Sequence, residues 1–155
     1  MNKIKSIFAV LAVVLLSVAC SKEEPVKEVE LAVTPNNVSG AWKLVQWKGQ
    51  DGSFVDLDGD TYFYIDLVRK DRKFTIYQNF DSMGDMPHKV TGEFNIELSD
   101  IGEPIIRGVY DYSEGFWSHK YLVTSLTKTT MVWTSVEDPD FVQKFERCSV
   151  PAELK

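Results

Sequence analysis

The polar side chains of this chain best suited to recognise a molecule are Gln46, Gln78, His119, Tyr121 and Gln143. Each falls on the apolar side of a stretch in which apolar and polar residues alternate, among Leu44, Phe94, Trp117, Trp133 and Phe145. A period of two sends successive side chains to opposite faces of a strand, so these groups are expected to share a dry side. Aromatic and aliphatic walls supply burial, while a few amides, a phenol and an imidazole orient what is held. A buried amide without a partner costs about 1–3 kcal/mol, so the glutamines need a ligand, a water or one another. The same pattern also permits a filled interior with internally satisfied glutamines and trapped water.

Other constellations are poorer in chemistry. Asp56-Leu-Asp58-Gly-Asp60 resembles a calcium loop only at its start, since an EF-hand begun at Asp56 needs glycine sixth and glutamate twelfth, where Thr61 and Leu67 stand. A polar turn is the expectation there. His88 and His119 are the only histidines and have no metal-ligand spacing, so no zinc site is expected. No nucleophile elbow, phosphate loop or dinucleotide fingerprint occurs. Glu93 and Glu97 share an outward, charged strand face. The chain is therefore expected to be no enzyme and to carry no cofactor. Tyr62, Tyr64, Tyr77, Tyr110, Tyr112 and Trp117 offer a rival use, stacking on sugar rings at a surface, although strand propensity also accounts for them.

The elements that must position these residues are strands. From Gly40 onward short β-rich runs recur between Gly, Asp, Pro and Ser clusters, at 40–48, 61–69, 73–80, 88–98, 104–112, 117–125, 129–136 and 140–149. Short connections favour antiparallel neighbours, and closure of eight strands removes exposed edges. The pattern predicts an all-β fold, an eight-stranded antiparallel up-and-down barrel. The face assignment is plainest at 88–98, where Val90, Gly92, Phe94, Ile96 and Leu98 oppose Lys89, Thr91, Glu93, Asn95 and Glu97. Phe74, Ile76, Gln78 and Phe80 point inward on the same logic, as do Phe141, Gln143, Phe145 and Arg147. At 61–69 the register stays open between Phe63, Ile65, Leu67 and Tyr62, Tyr64, Asp66.

The first 38 residues are of another kind. Lys3 and Lys5 precede an apolar run from Ile7 to Leu16, too short to span a bilayer comfortably, which reads as a secretory signal. Leu16-Ser-Val-Ala-Cys20 resembles the lipobox of bacterial lipoproteins, which implies cleavage after residue 19 and acylation of Cys20 with palmitate-type chains. Residues 20–38 read as a flexible tether, and 39–155 as the barrel. Ser21-Lys-Glu-Glu24 resembles a surface-export signal, which implies an outer-membrane, cell-surface location; a plain solvated linker is the alternative. Without the leader the chain has 15 basic and 23 acidic residues, a formal charge of −8, which argues against a nucleic-acid partner. With Cys20 in the leader region, Cys148 has no partner for a disulfide, so packing alone must hold the fold.

Gly40-Ala-Trp42 at the start of the first predicted strand and Arg147 near the end of the last resemble the lipocalins. In that family the tryptophan packs at the closed end of the barrel beneath the arginine, which implies structural roles for Trp42 and Arg147. Gly108-Val-Tyr-Asp-Tyr-Ser-Glu-Gly-Phe-Trp117, Met131-Val-Trp-Thr134 and Val150-Pro151 more closely resemble lipocalin-like lipoproteins of Bacteroidetes. The second lipocalin motif, Thr-Asp-Tyr, has no clear match. The expectation is a monomeric, lipid-anchored envelope protein binding a small apolar or amphipathic molecule through Gln46, Gln78, Trp117, His119, Tyr121, Trp133 and Gln143. A glycan-contacting surface protein and a filled-barrel accessory subunit of an envelope complex are the alternatives.

Overall fold

A computed structural model of the chain describes residues 28–49, 51–57, 59–80, 88–111 and 115–155. The leader, Cys20, the tether up to residue 27, Asp58 and Tyr112 lie outside the described residues. The strands are β1 (Gly40–Lys48), β2 (Phe54–Asp56), β3 (Phe63–Val68), β4 (Lys73–Gln78), β5 (Lys89–Leu98), β6 (Pro104–Tyr110), β7 (Tyr121–Leu126), β8 (Thr130–Ser135) and β9 (Val142–Cys148). All pairings are antiparallel, β1 and β3 to β9 following in order until β9 returns to β1. The result is a closed eight-stranded barrel of lipocalin-like fold. The short β2 was not expected: it pairs through Gln46↔Asp56 to Lys48↔Phe54 with the half of β1 that β3 leaves free.

The core follows the alternation. In β5, Val90, Gly92 and Phe94 are buried while Lys89, Thr91, Glu93 and Asn95 are exposed. This charged exterior is the reverse of the apolar outer band of a membrane-spanning barrel. Leu98 departs from its expected inward place and is 71% exposed. The reason lies in the pairing, since β4 accompanies β5 only as far as Lys73↔Glu93 and the rest of β5 overhangs with β6 alone. In β3 the open register resolves to Ile65 and Leu67 inward, both buried.

One end of the barrel is sealed. Trp42 and Val38 are fully buried, and the Trp42 indole Nε1 donates to Val38 O at 2.8 Å. The guanidinium of Arg147 lies 4.0 Å over the Trp42 ring. It donates to the carbonyls of Ser39, Asn37 and Lys128 at 2.7, 3.0 and 2.7 Å. Gly40 is required beneath it, because its φ is +119° and a Cβ there would meet Arg147 Nη1.

The chain enters across this end. The expected tether ends in a docked segment rather than a free one. Leu31 N donates to Leu126 O at 2.7 Å, and Glu30 accepts from Ser125 Oγ and Leu126 N. A single helical turn, α1 (Pro35–Val38), follows, with Thr34 Oγ1 capping Asn37 N. Its apolar residues explain the docking, since Val38 is buried and Leu31 and Val33 pack against the core.

Candidate functional site

The opposite end is open, and inside it lies a cavity of about 240 Å³. Its aromatic wall is Trp117, Tyr121 and Trp133, with Phe63 and Phe141 nearer the rim. Ile65 and Ile76 supply aliphatic floor, and Ser118, His119, Gln143 and Tyr110 add polar atoms. The wall is a fan of rings: Trp117 and Trp133 stack at 5.5 Å, and Trp133 and Tyr121 at 5.3 Å, each with 30° between planes, while Trp117 and Tyr121 lie 59° apart. Phe145 and Phe74 back it, 4.7 Å from Trp133 and 5.1 Å from Trp117.

Local structure explains how each group arrives. Tyr121 begins β7, Trp133 sits in β8 directly opposite Gln143 of β9, and alternation turns all three inward. Trp117 and His119, expected in a strand, instead belong to the connection between β6 and β7. There Trp117 N donates to Gly108 O at 2.9 Å, folding the connection back over β6. The Trp117 ring then lies on Gly108, where a Cβ would come within 2.1 Å of it. The absent side chain at residue 108 is what makes room for this wall.

Three of the wall's nitrogen atoms have no hydrogen-bond partner among the described residues. Trp117 Nε1, Trp133 Nε1 and His119 Nδ1 are buried and unbonded. Glu137 Oε2 stands 3.7 Å from His119 Nδ1, beyond hydrogen-bonding reach. An indole N–H can only donate, so the two tryptophans ask for acceptors. Burial pushes the Tyr121 phenol well above its usual range, with the neighbouring Tyr110 and Glu137 adding to the shift. It stays protonated as a neutral group of the wall.

Of the side chains expected to touch a ligand, the structure brings Trp117, His119, Tyr121, Trp133 and Gln143 to one cavity. Gln46 and Gln78 are elsewhere. Opposite β9, β1 carries a bulge between Leu44 and Gln46, so Leu44 faces Phe145 but Gln46 faces Lys144. That slip of one residue puts Gln46 outside, donating to Asp56 Oδ1 and accepting from Lys144 Nζ. By the same slip Trp47 lies opposite Gln143, packing edge-on against Phe141 at 6.1 Å. Gln78 is buried, but its Oε1 accepts from Phe80 N at 2.6 Å, turning the chain at the end of β4. Sequence reasoning missed Ser118, because an irregular connection leaves no mark on a period of two.

Among the described residues no group of three or more His, Cys, Asp or Glu is placed to hold a metal ion. Comparison with protein-family models, with curated proteins and with solved structures finds no match to this chain. The site is therefore read from its own residues.

Proposed function

We propose that this protein is a lipid-anchored envelope binding protein, holding a small apolar or amphipathic molecule in the open end of the barrel by binding rather than by catalysis. The carrying observation is the open-ended cavity of about 240 Å³ walled by Trp117, Tyr121 and Trp133. Filling such a cavity removes apolar surface from water, at about 25 cal/mol per Å². A glycan-contacting role finds less support, because Trp117 is only 7% exposed and faces the interior.

The proposed anchor at Cys20 precedes a segment that docks at the sealed end. Glu28 accepts from Thr129 N beside the sealed end, leaving residues 21–27 between lipid and barrel. Seven residues span at most about 25 Å, so the sealed end would face the bilayer and the cavity would open away from it. Native mass spectrometry of the full-length mature protein, extracted gently from its host, tests the reading. The expected result is a bound small molecule released on unfolding, with Cys20 carrying acyl chains. A protein with no retained molecule, and no uptake of any apolar probe, would overturn the binding role.

A further inference from the structure

The most exposed apolar side chains among the described residues all lie at the sealed end. Ile101, Val29 and Leu98 are 81%, 78% and 71% exposed, and no other large apolar side chain described exceeds 53%. Single exposed apolar residues are ordinary, but their gathering at one end marks a contact surface.

Strand pairing puts them there. Gly40↔Leu67 sets the end of β3 beside the start of β1, and Val68↔Lys73 and Lys73↔Glu93 carry that level through β4 to β5. One more bond follows, from Phe94 N to Arg72 O at 2.7 Å, after which β5 runs on with β6 alone as far as Leu98↔Pro104. The β5–β6 hairpin therefore overhangs the sealed end. Its tip is a fixed turn: Gly102 N donates to Ser99 O at 2.9 Å, Ser99 N to Glu103 O at 2.8 Å and Glu103 N to Ser99 Oγ at 3.0 Å, with Ile101 outward. Val29 belongs to the docked entry segment, between Glu28 on Thr129 N and Leu31 on Leu126 O.

We infer that the sealed end rests on the bilayer, with Leu98 and Ile101 of the overhanging hairpin set into the boundary between headgroups and acyl chains. The inference rests on the acylation of Cys20 proposed above. Chain length selects a lipid surface as the occupant. Only residues 21–27 separate Cys20 from the docked Glu28, and seven residues reach at most about 25 Å, so the anchor holds this end continuously near the headgroups.

Charge permits the contact. The turns at this end hold Arg69, Lys70, Arg72 and Lys128, beside Arg147. They offset Asp71, Asp100, Glu103, Glu28 and Glu30 charge for charge, so the acidic excess of the whole chain is missing where headgroups would be met. The strand edge limits the depth. Past Phe94 the edge of β5 has no β4 beside it, and an open edge needs water, so only the side chains of the tip enter the apolar layer.

The test uses the unsubstituted mature protein, acylated by its host, in nanodiscs of phosphatidylethanolamine and phosphatidylglycerol. A fraction of the lipids carries a nitroxide near the headgroup end of an acyl chain. Mass spectrometry of the same sample reads the acyl chains on Cys20, and methyl NMR reads depth, with Ile101→Val and Leu98→Val used only to assign signals. The Ile101 and Leu98 methyl signals should lose most of their intensity, while those of Val136 at the open end keep theirs. Undiminished Ile101 and Leu98 signals on an acylated chain would overturn the contact and leave the anchor standing; if two chains were then found per particle, a second copy would be the occupant. Loss at Val136 instead would overturn the orientation and the contact together. A Cys20 without acyl chains would remove the anchor and this inference with it.

Discussion

The two ends of the barrel use the same residue type to opposite effect. At the sealed end the Trp42 indole donates to Val38 O and carries the Arg147 guanidinium on its face, and that guanidinium is spread over three carbonyls. At the open end Trp117 and Trp133 are buried almost as deeply, at 7% and 2% exposure, and their N–H groups have no hydrogen-bond partner among the described residues. Folding desolvates a donor at both ends, but only one end supplies the acceptor. A satisfied tryptophan stabilises the fold; an unsatisfied one costs stability.

The largest expected effect lies at the sealed end. Trp42→Ala should cost about 3–5 kcal/mol, because it removes a fully buried ring and strands both Val38 O and Arg147. Chemical denaturation would measure it, and a loss below about 1 kcal/mol would break the contrast on that side.

Gly108→Ala comes next, at the foot of the open end. The added methyl would overlap the Trp117 ring, so a loss of about 1–3 kcal/mol together with weaker ligand binding is expected. Unchanged binding would mean that Trp117 is not needed as wall.

A third prediction concerns pH. The Tyr121 phenol has its pKa raised in the folded state above the usual 10.0, by burial first and then by Tyr110 and Glu137. The folded chain therefore keeps a proton that the unfolded chain releases, so stability falls as pH rises past about 10. Tyr121→Phe should flatten the decline in thermal midpoint above that pH, and an unaltered decline would place its origin in other groups.

The smallest effect belongs to the docked entry segment. Hydrogen bonds from Thr127 and then Thr129 hold the exposed Glu28 carboxyl below its usual 4.5. The contact is present above that pH and is lost as acid protonates the carboxyl. Hydrogen exchange at the Leu31 amide, which donates to Leu126 O, should speed up on acidification beyond the intrinsic trend. No such excess would show that Glu28 does not secure the segment.

The two ends also differed in how far they could be read from sequence. Eight strands, closure and the inward faces of β5 and β9 followed from alternation, because a half-buried antiparallel strand writes its two environments into alternate residues. Alternation likewise turned Tyr121, Trp133 and Gln143 inward, whereas Trp117 and His119 reach the cavity on the irregular connection between β6 and β7. Gln46 was misplaced because a single bulged residue inverts every later face on β1, and a bulge has no compositional signature there. Gln78 was placed inside correctly, but its hydrogen bond to Phe80 N is a tertiary detail that no periodicity carries. The docking of residues 28–38 was obscured by acids and prolines that resemble a linker, although Leu31, Val33 and Val38 were its apolar signal.

The contrast itself can be measured with one chemical change made at each end. Trp42→Phe and Trp133→Phe remove the same atoms from deeply buried rings, so their apolar losses largely cancel in the comparison. Urea denaturation of the ligand-free protein should find Trp42→Phe more destabilising by about 1–3 kcal/mol, because it alone strands the buried Val38 carbonyl. Equal losses, or a greater loss for Trp133→Phe, would mean that the open-end indole is already satisfied and that the two ends do not differ in this way.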